Sequence, residues 1–431
     1  MRSGAKGGPV RSNRLTTIIL IGMVLGIAVG YACHTLWPDP ATANGIAGYI
    51  SLMTDIFLRL IKMIIAPLVF TTLVVGVAHL GEPKAIGRVG GKAMIWFVSA
   101  SLVSLLLGMV LVNVMRPGDN LNLPLPDAGT STNLKVASLS LKEFVTHLVP
   151  KSAVEAMANN EILQIVVFSL FFGVAAAAVG ERARPMVELI DAASQVILKI
   201  TGYIMGLAPL AVFAAMAATV TTQGLSILIT YGKFMAEFYF GLVVLWGLLI
   251  LAGFVFLGRG IFRLVGLVRE PFLLAFSTAS SEAAYPVTMA QLEKYPIGKK
   301  IISFVLPMGY SFNLDGSMMY CTFATLFIAQ AYNIHMSSVQ QITMLLVLML
   351  TSKGMAGVPR ASLVVIAATL VSFNLPEAGL LLVIGIDQFL DMGRSATNVI
   401  GNSLATAVVA KWEGDIGRAP VPEGELRPRT A

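Results

Sequence analysis

Long apolar runs separated by short polar turns dominate the first 260 residues of the chain. A membrane-spanning helix needs about 20 predominantly apolar residues, and six of the runs reach that length. They cover residues 15–36, 48–80, 93–115, 161–180, 194–221 and 234–258. The pattern predicts six membrane crossings in this region of the chain.

The charges in the turns orient these crossings. Lys and Arg concentrate in residues 1–14, 81–92, 182–184 and 259–269, whereas residues 116–160 are polar and of mixed charge. Cytoplasmic loops of membrane proteins carry an excess of Lys and Arg. We therefore expect the basic turns and both chain termini to be cytoplasmic, and the first apolar run to be a retained helix.

Beyond residue 270 the apolar runs are interrupted by polar and helix-breaking residues. The four segments are 271–292, 301–330, 340–373 and 378–410. Irregular backbone at membrane depth is tolerated only where it is buried in protein or lines a wet cavity. The first and third segments, each broken by Pro near mid-length, are interpreted as re-entrant hairpins, each followed by a full helix. This weak internal repeat is typical of transporters; plain kinked helices are the alternative.

Composition supports a membrane protein. Of 431 residues, 56% are hydrophobic and 12% charged, with a mean hydropathy of +0.80. Soluble domains carry about 25% charged residues. The basic turns account for the net charge of +7, so no nucleic-acid partner is expected. Cys33 and Cys321 both lie in apolar stretches, which predicts no disulfide framework.

A polar stripe in the last segment is the strongest sign of a binding site. Asp387, Asp391, Arg394, Asn398 and Asn402 are spaced by 4, 3, 4 and 4 residues, so on a helix they fall within about 80° of one another. Charged groups at a helix centre cost about 2.5–3.5 kcal/mol to insert. A structural Asp–Arg pair would explain two of the five. A guanidinium suits a carboxylate and an Asp suits an ammonium group, so the stripe predicts a site for an acidic amino acid.

The sequence Asn313-Leu314-Asp315-Gly316-Ser317 is a second candidate site. An Asp beside a Gly inside an apolar helix suggests local unwinding, which would free backbone carbonyl groups. Carbonyls, an amide and a carboxylate are ligands for a hard cation. The alternative is a helix kink in which Asp315 pairs with a Lys elsewhere.

The tips of the two predicted hairpins form a third candidate. Ser280-Ser281-Glu282 lies in the first hairpin and Ala356-Gly357-Val358-Pro359-Arg360 in the second. Small residues allow the backbone to approach a ligand closely, and the N-termini of half-helices favour anions. Ordinary solvated turns are the alternative interpretation.

Other features indicate structure rather than chemistry. Gly22, Gly26 and Gly30 form a ridge of small residues on the first span, which we interpret as a helix-packing surface. The four His residues are scattered without metal-ligand spacing, and no metal site or cofactor is predicted.

At these motifs the chain resembles the dicarboxylate/amino acid:cation symporter family, the glutamate transporter family, from about residue 15 to 413. The similar motifs are Phe57–Met63, Asn160–Gln164, the Ser-Ser-Glu hairpin, Asn313–Gly316, Ala356–Pro359, and Asp391–Arg394 through Asn398. The resemblance implies an all-α polytopic membrane protein of the bacterial inner membrane. It also implies eight transmembrane helices plus two re-entrant helical hairpins with inverted repeats, a homotrimer in membrane lipid, and an elevator mechanism.

The resemblance also implies a division of the chain. A cytoplasmic tail (1–14) precedes the first scaffold and trimerisation segment (15–92), which leads into the first transport-domain segment (93–118). An extracellular loop with the second scaffold segment follows (119–230). The transport-domain core with both hairpins (231–413) and a cytoplasmic C-terminal tail (414–431) complete the chain.

Residue roles follow by matching position. Arg394 corresponds to the residue that holds the substrate's side-chain carboxylate, Asp391 to the amino-group ligand, and Asn398 with the Ser281 backbone to the main-chain carboxylate site. The implied substrate-binding set is Arg394, Asp391, Asn398, Ser395, Ser280, Ser281, Gly357, Val358, Pro359 and Ser317. The implied cation-binding set is Asn313, Asp315, Asp387, Asn402 and Ser101. The 340–373 hairpin corresponds to the extracellular gate.

Departures from the family pattern concern the coupling ion. Sodium-coupled relatives have an Asp at the position of Asn402, and Phe97 and Ala100 replace sodium ligands while Ser101 is retained. These changes weaken the expected sodium site.

The hairpin tips carry two further departures. Glu282 is our candidate proton carrier or gate, and Arg360 either offsets its charge or meets the substrate. Together with Asn402, they favour H⁺ over Na⁺ as the coupling ion, with Na⁺ left open.

The substrate and the function class have alternatives. The C4-dicarboxylate branch of the family lacks the Asp at position 391, so its presence here favours glutamate or aspartate over succinate, malate or fumarate. A membrane enzyme is disfavoured because the sequence has no paired His and no Gly-x-Ser-x-Gly elbow. An ion channel is disfavoured because the polarity is concentrated in the last 140 residues or so rather than along several helices.

Overall fold

Helices make up the regular structure of the residues that the computed structural model describes, which are 10–80, 83–119, 146, 149–225, 231–352, 361–384 and 386–416. The α-helices are α1 (Val10–Leu36), α2 (Pro40–Leu80), α3 (Pro83–Met115), α4 (Ala153–Ala158), α5 (Ile162–Val179), α6 (Arg184–Met205), α7 (Ala208–Gln223), α8 (Gly232–Leu257), α9 (Gly260–Thr278), α10 (Ser281–Leu292), α11 (Lys299–Phe312), α12 (Asp315–Ala331), α13 (Ser338–Thr351), α14 (Ala361–Ser372), α15 (Leu380–Ile384) and α16 (Asp387–Trp412). Two short 3₁₀ helices cover Gly180–Arg182 and Glu377–Gly379.

Within these ranges, five helices are long and apolar enough to cross a membrane: α1, α2, α3, α5 and α8. The predicted span 194–221 is a pair of helices, α6 and α7, bent by 51° at residues 206–207, and the pair could form a sixth span. Five of the six predicted spans therefore correspond to such helices, and the sixth corresponds to the bent pair. The regular structure of the described residues is all-helical, and the protein is a multi-pass membrane protein.

The loop predicted at 81–92 is wrong in extent, because α3 already begins at Pro83. Arg88 and Lys92, which precede the apolar run 93–115, both contact the carboxylate of Glu413, at 2.9 and 2.6 Å. Burial alone would raise the pKa of Glu413, but hydrogen bonds from these two cations outweigh it and lower the pKa. These ion pairs thus connect the start of α3 to the end of α16. Helix α3 therefore begins before its apolar run does.

The first hairpin consists of α9 and α10, which pack against each other. The predicted tip at Ser280-Ser281-Glu282 is confirmed, whereas Pro286, which the pattern took as the interruption of the segment, lies inside α10. The chain reverses at Ala279, whose left-handed backbone (φ 50°) ends α9. Ser280 then caps α10, because its hydroxyl accepts a hydrogen bond from the Ala283 N–H at 3.2 Å.

The predicted unwinding at Asn313-Leu314 is confirmed. Helix α11 ends at Phe312, α12 begins at Asp315, and the two residues between have non-helical backbone angles of −127°/66° and −101°/63°. Asn313, Leu314 and Asp315 are all buried. Asp315 therefore stands at the N-terminus of α12, where the helix dipole favours a negative charge.

The second predicted hairpin includes α13 and α14, which also pack against each other. Its predicted tip, with Gly357, Val358, Pro359 and Arg360, lies outside the described residues. The roles of these four residues stay predictions.

The helices pack in two groups. In one, α2 contacts α5, α6 and α7, and α1 contacts α7. In the other, α16 is surrounded by α3, α8, α9, α10, α11 and α12. Helix α2 joins the groups, since it also packs on α10 and α11. The polar last helix therefore lies at the centre of one group, beside the first hairpin.

The ridge of small residues on α1 packs on α7, as the sequence predicted. A Cβ atom added at Gly22 or Gly30 would lie 2.7 or 2.6 Å from the carbonyl oxygen of Pro209 or Ala217, and one at Gly26 would meet the carbonyl of Phe213. The backbones of α1 and α7 can approach this closely because the side chains are absent.

We predict that Gly26→Ala destabilises the protein by about 1–3 kcal/mol, because the added methyl group must push α1 away from α7. Gly45→Ala on α2 is the matched control, since a Cβ there meets no atom within 4 Å and Ala favours a helix over Gly. Thermal unfolding in detergent should show a lower midpoint for Gly26→Ala alone. Equal midpoints would contradict the packing role.

Candidate substrate and cation site

The polar stripe predicted on the last helix faces the break between α11 and α12. Asp387, Arg394, Asn398 and Asn402 are only 1–3% exposed. Gly316, at the start of α12, makes this contact possible, because a Cβ there would lie 2.5 Å from the backbone oxygen of Arg394. The stripe is therefore buried in protein and does not face lipid.

Arg394 is the centre of an ion-pair cluster. Its Nη2 atom lies 3.0 Å from Asp387 Oδ1 and 3.1 Å from Asp391 Oδ1. The ring of Tyr320 lies 4.1 Å from the guanidinium carbon, and the Tyr320 hydroxyl donates to Asp387 at 3.3 Å. One positive and two negative groups leave the cluster with a surplus negative charge.

Asp387 was predicted to belong to the cation-binding set, but the structure places its carboxylate against Arg394 and Tyr320. Helical side chains point toward the N-terminus of their helix, so the long Arg394 side chain reaches back two turns to Asp387. Asp387 therefore belongs to the ion-pair cluster.

Two donors of Arg394 remain unused. Its Nε and Nη1 atoms are buried and have no hydrogen-bond partner among the described residues. A buried donor left unsatisfied costs about 1–3 kcal/mol, and more when it is charged. Donors of a guanidinium match a carboxylate, so the arrangement is suited to an anionic ligand.

A cavity of about 420 Å³ opens beside this cluster. Eight of the predicted site residues line it: Arg394, Asp391, Ser395, Asn398, Ser317, Ser280, Ser281 and Glu282. Asp391 is 29% exposed at its side chain and accepts a hydrogen bond from Ser395 at 3.3 Å. The structure thus brings the α16 stripe and the first hairpin tip to one cavity.

The opposite wall of the cavity comes from α2 and α7. Asp55 and Lys62 of α2 line it, and neither was predicted to have a role. The signal was present: charged side chains seven residues apart lie on one face of a long apolar helix, where they are costly. Tyr320 was also missed, because an aromatic residue in an apolar segment does not stand out from its neighbours.

Asn313, Asp315 and Asn402 meet behind the cavity wall. The Asn313 amide donates to Asp315 Oδ2 at 3.1 Å and to Asn402 Oδ1 at 3.3 Å. All three residues are at most 1% exposed. The Asn313 oxygen and the Asn402 amide nitrogen have no hydrogen-bond partner in the described ranges. This group supplies one carboxylate and amide oxygens, which are ligands for a hard cation.

Hydroxyl groups from α3 lie beside Asn313, Asp315 and Asn402, the candidate cation group. The Ser104 hydroxyl, which donates to the Ala100 carbonyl at 2.9 Å, also lies 3.5 Å from Asp315 Oδ1, and Ser101 donates to the backbone oxygen of Phe312 at 3.5 Å. Ser101 was predicted; Ser104 was missed, although it lies one helical turn further along the same face.

Asn398 connects the cavity to the cation group. Its side-chain oxygen accepts from the Gly316 N–H at 2.9 Å, and its amide donates to Ser317 at 3.3 Å. Because Gly316 follows Asp315 directly, a ligand that moves Asn398 also acts on the N-terminus of α12. The candidate anion and cation sites are therefore connected through the contacts of Asn398 with the start of α12.

Comparison with known proteins shows which family the chain belongs to. The model of the sodium:dicarboxylate symporter family matches residues 15–412. A proton/sodium-glutamate symport protein of Bacillus caldotenax is 41% identical over 92% of this chain and 94% of its own length. C4-dicarboxylate transport proteins of Laribacter hongkongensis and Pseudomonas savastanoi pv. phaseolicola are 39% and 40% identical over 92% of this chain, and over 88% and 85% of their own lengths.

The matching family model covers almost the whole chain, and relatives of near-equal length share about two fifths of its residues. The protein is therefore a transporter and not an enzyme. It belongs to the sodium:dicarboxylate symporter family.

Proposed function

We propose that this chain is a secondary active symporter that takes up an acidic amino acid, glutamate or aspartate, together with protons. The observation that carries the proposal is the incomplete coordination of Arg394. Its unused donors bind the side-chain carboxylate of the substrate, and Asp391, which faces the cavity, binds the ammonium group. Asn398 and the Ser281 backbone hold the main-chain carboxylate.

The charge of the ion-pair cluster favours an amino acid over a dicarboxylate. Arg394 is already shared by two carboxylates, so an added anion is repelled unless it brings a positive group. The ammonium of glutamate offsets Asp391, whereas succinate has no such group. A C4-dicarboxylate is the alternative substrate, because relatives with that name are as similar to this chain as the glutamate symporter.

The same surplus negative charge explains why a cation accompanies the substrate. A monoanionic amino acid with one cation moves no net charge. A second cation adds about 2.3 kcal/mol per 100 mV of membrane potential, so electrogenic uptake needs at least two. The cation group has a single carboxylate at Asp315, and Glu282 lines the substrate cavity; both features favour protons over sodium.

The architecture of the family completes the proposal. We infer eight spanning helices, two re-entrant hairpins and a homotrimer in a bacterial inner membrane with both termini cytoplasmic. Residues 93–118 and 231–413 form a mobile transport domain that moves against a scaffold of residues 15–92 and 119–230. The packing of α3 with α8, α11, α12 and α16 supports this division.

The coupling ion is tested by uptake into liposomes. An acid-outside pH step in sodium-free buffer should drive accumulation of labelled glutamate, and collapsing the step with an ionophore should abolish it. A sodium gradient at constant pH is the comparison and should drive less uptake. Uptake with sodium only would contradict proton coupling.

Asp391→Ser should weaken glutamate binding about a hundredfold, because the buried ammonium group loses its partner, and should weaken succinate binding far less. Asp55→Ser, on the opposite cavity wall, is the matched control and should change both affinities less than about threefold. Calorimetric titration of the solubilised protein gives both constants. Equal losses for the two ligands would contradict the ammonium role of Asp391.

Asn402→Asp should make glutamate binding respond to sodium. The change adds a second carboxylate beside Asn313 and Asp315, and carboxylate count is a main determinant of affinity for hard cations. Millimolar sodium should raise the glutamate affinity of this variant about tenfold, with Asn402→Ser as the uncharged control. If neither variant responds to sodium, the residues do not form a cation site.

A further inference from the structure

A second, much smaller cavity lies behind the tip of the first hairpin. Its volume is about 10 Å³. One side is formed by Ile65 and Val69 of α2 and Ile162 of α5, and the other by Glu282, Tyr285 and Tyr310. Glu282 and Tyr310 also line the large substrate cavity. Glu282 therefore stands between the two spaces.

Two tyrosine hydroxyls are buried at this small cavity. Tyr285 and Tyr310 are 2% and 5% exposed, with their rings perpendicular and 5.0 Å apart. Neither hydroxyl makes a hydrogen bond within the described portion of the chain. Burial of a hydroxyl without a partner is unfavourable, so a missing partner is expected here.

The nearest threonines do not supply a proton to these tyrosines. Thr72 lies beside Tyr285 and Thr288 beside Tyr310. Thr72 already donates to the Leu68 carbonyl at 2.6 Å, and Thr288 to the Ala284 carbonyl at 2.8 Å. Neither tyrosine meets hydrogen-bond geometry with its threonine, so each tyrosine hydroxyl keeps its own proton available for another acceptor.

The size and the polar groups of the cavity fit one water molecule. A buried water needs about 10–15 Å³ of accessible space and two to four polar partners. Glu282, Tyr285 and Tyr310 are three such partners. We propose that a single water molecule bound here links the Glu282 carboxyl group to both tyrosines, and that Glu282 with this water is the proton-holding site of the transport cycle.

The proton transfer is a simple exchange. A hydronium ion in the substrate cavity transfers a proton to a Glu282 carboxylate oxygen, so that one O–H bond breaks as the other forms and water is left, and the reverse transfer returns the proton to water. The tyrosines keep their own protons and donate through the bound water to the carboxylate. They act as positioning residues that set how tightly Glu282 holds its proton.

Charged side chains of both signs line the substrate cavity together with Glu282. Across the substrate cavity, α2 presents Asp55 and Lys62, and α16 presents Asp391 and Arg394. The two carboxylates favour a protonated Glu282 and the two cations favour the ionised form. We therefore expect the hydrogen bonds in the small cavity to decide between the protonated and the ionised form of Glu282.

Both helix groups are needed to close this cavity. Ile65, Val69 and Ile162 belong to α2 and α5, whereas the polar residues belong to the hairpin and α11. Moving one group along the other would open the water site. The proton affinity of Glu282 thus depends on the position of the hairpin. This inference rests on the proton-coupled symport proposed above.

Tyr285→Phe is the most informative variant, because Tyr285 lines the small cavity and is not in the substrate cavity wall. Loss of its hydroxyl removes a donor that favours the ionised carboxylate. Proton-driven glutamate uptake should therefore reach its half-maximum at a pH higher by about 0.5, a threefold change in proton affinity. Tyr310→Phe should shift it in the same direction. Tyr295→Phe, a buried tyrosine that follows α10, should leave it unchanged.

A second readout does not depend on transport. The carboxyl stretching band of protonated Glu282, identified by its absence in Glu282→Gln, can be titrated by infrared spectroscopy of the purified protein. Its midpoint should rise in Tyr285→Phe and stay constant in Tyr295→Phe. Unchanged midpoints in both tyrosine-to-phenylalanine variants of the small cavity would overturn the water site. If the wild type shows no proton-driven uptake at all, the proposed function fails instead.

Discussion

The guanidinium of Arg394 is the constraint on which the rest of the structure depends. It is 1% exposed on a helix inside a membrane protein, where an uncompensated charge is costly. Asp387, Asp391 and the Tyr320 ring compensate it. The compensation is incomplete, because two donors of Arg394 have no partner among the described residues and the cluster carries one negative charge too many. A ligand carboxylate would use the free donors of Arg394 and a ligand ammonium would pair with Asp391, whereas the net negative charge of an acidic amino acid would have to be offset by a coupled cation.

The surrounding fold brings backbone breaks to this cluster. The chain reverses at Ala279 and unwinds at Asn313, which places the N-termini of α10 and α12 near α16. The absence of a side chain at Gly316 lets α12 approach α16 closely. As a result, the candidate anion site and the carboxylate of Asp315 are joined through Asn398, and binding of an anion can be linked to binding of a cation without a long pathway.

The sequence predicted the features that depend on consecutive residues. It missed the contacts that depend on side-chain length or on packing between distant helices. Apolar periodicity identified the spans, the stripe on α16 and the break at Asn313, because each is a property of consecutive residues. The first hairpin tip at Ser280-Ser281-Glu282 was also identified, whereas Pro286 does not interrupt the helix as predicted, because it lies inside α10. The partner of Asp387 was missed because it depends on the backward reach of an arginine. Asp55 and Lys62 line the cavity only because α2 packs on another group of helices.

The central claim is that a substrate carboxylate completes the coordination of Arg394. The most direct measurement is a cryo-electron microscopy structure of the protein with bound glutamate, at a resolution that places the ligand's carboxylates and amine. We expect the side-chain carboxylate within hydrogen-bonding distance of Arg394 Nε or Nη1 and the amine beside Asp391. Glutamate bound elsewhere, with Arg394 contacting only Asp387 and Asp391, would contradict the claim.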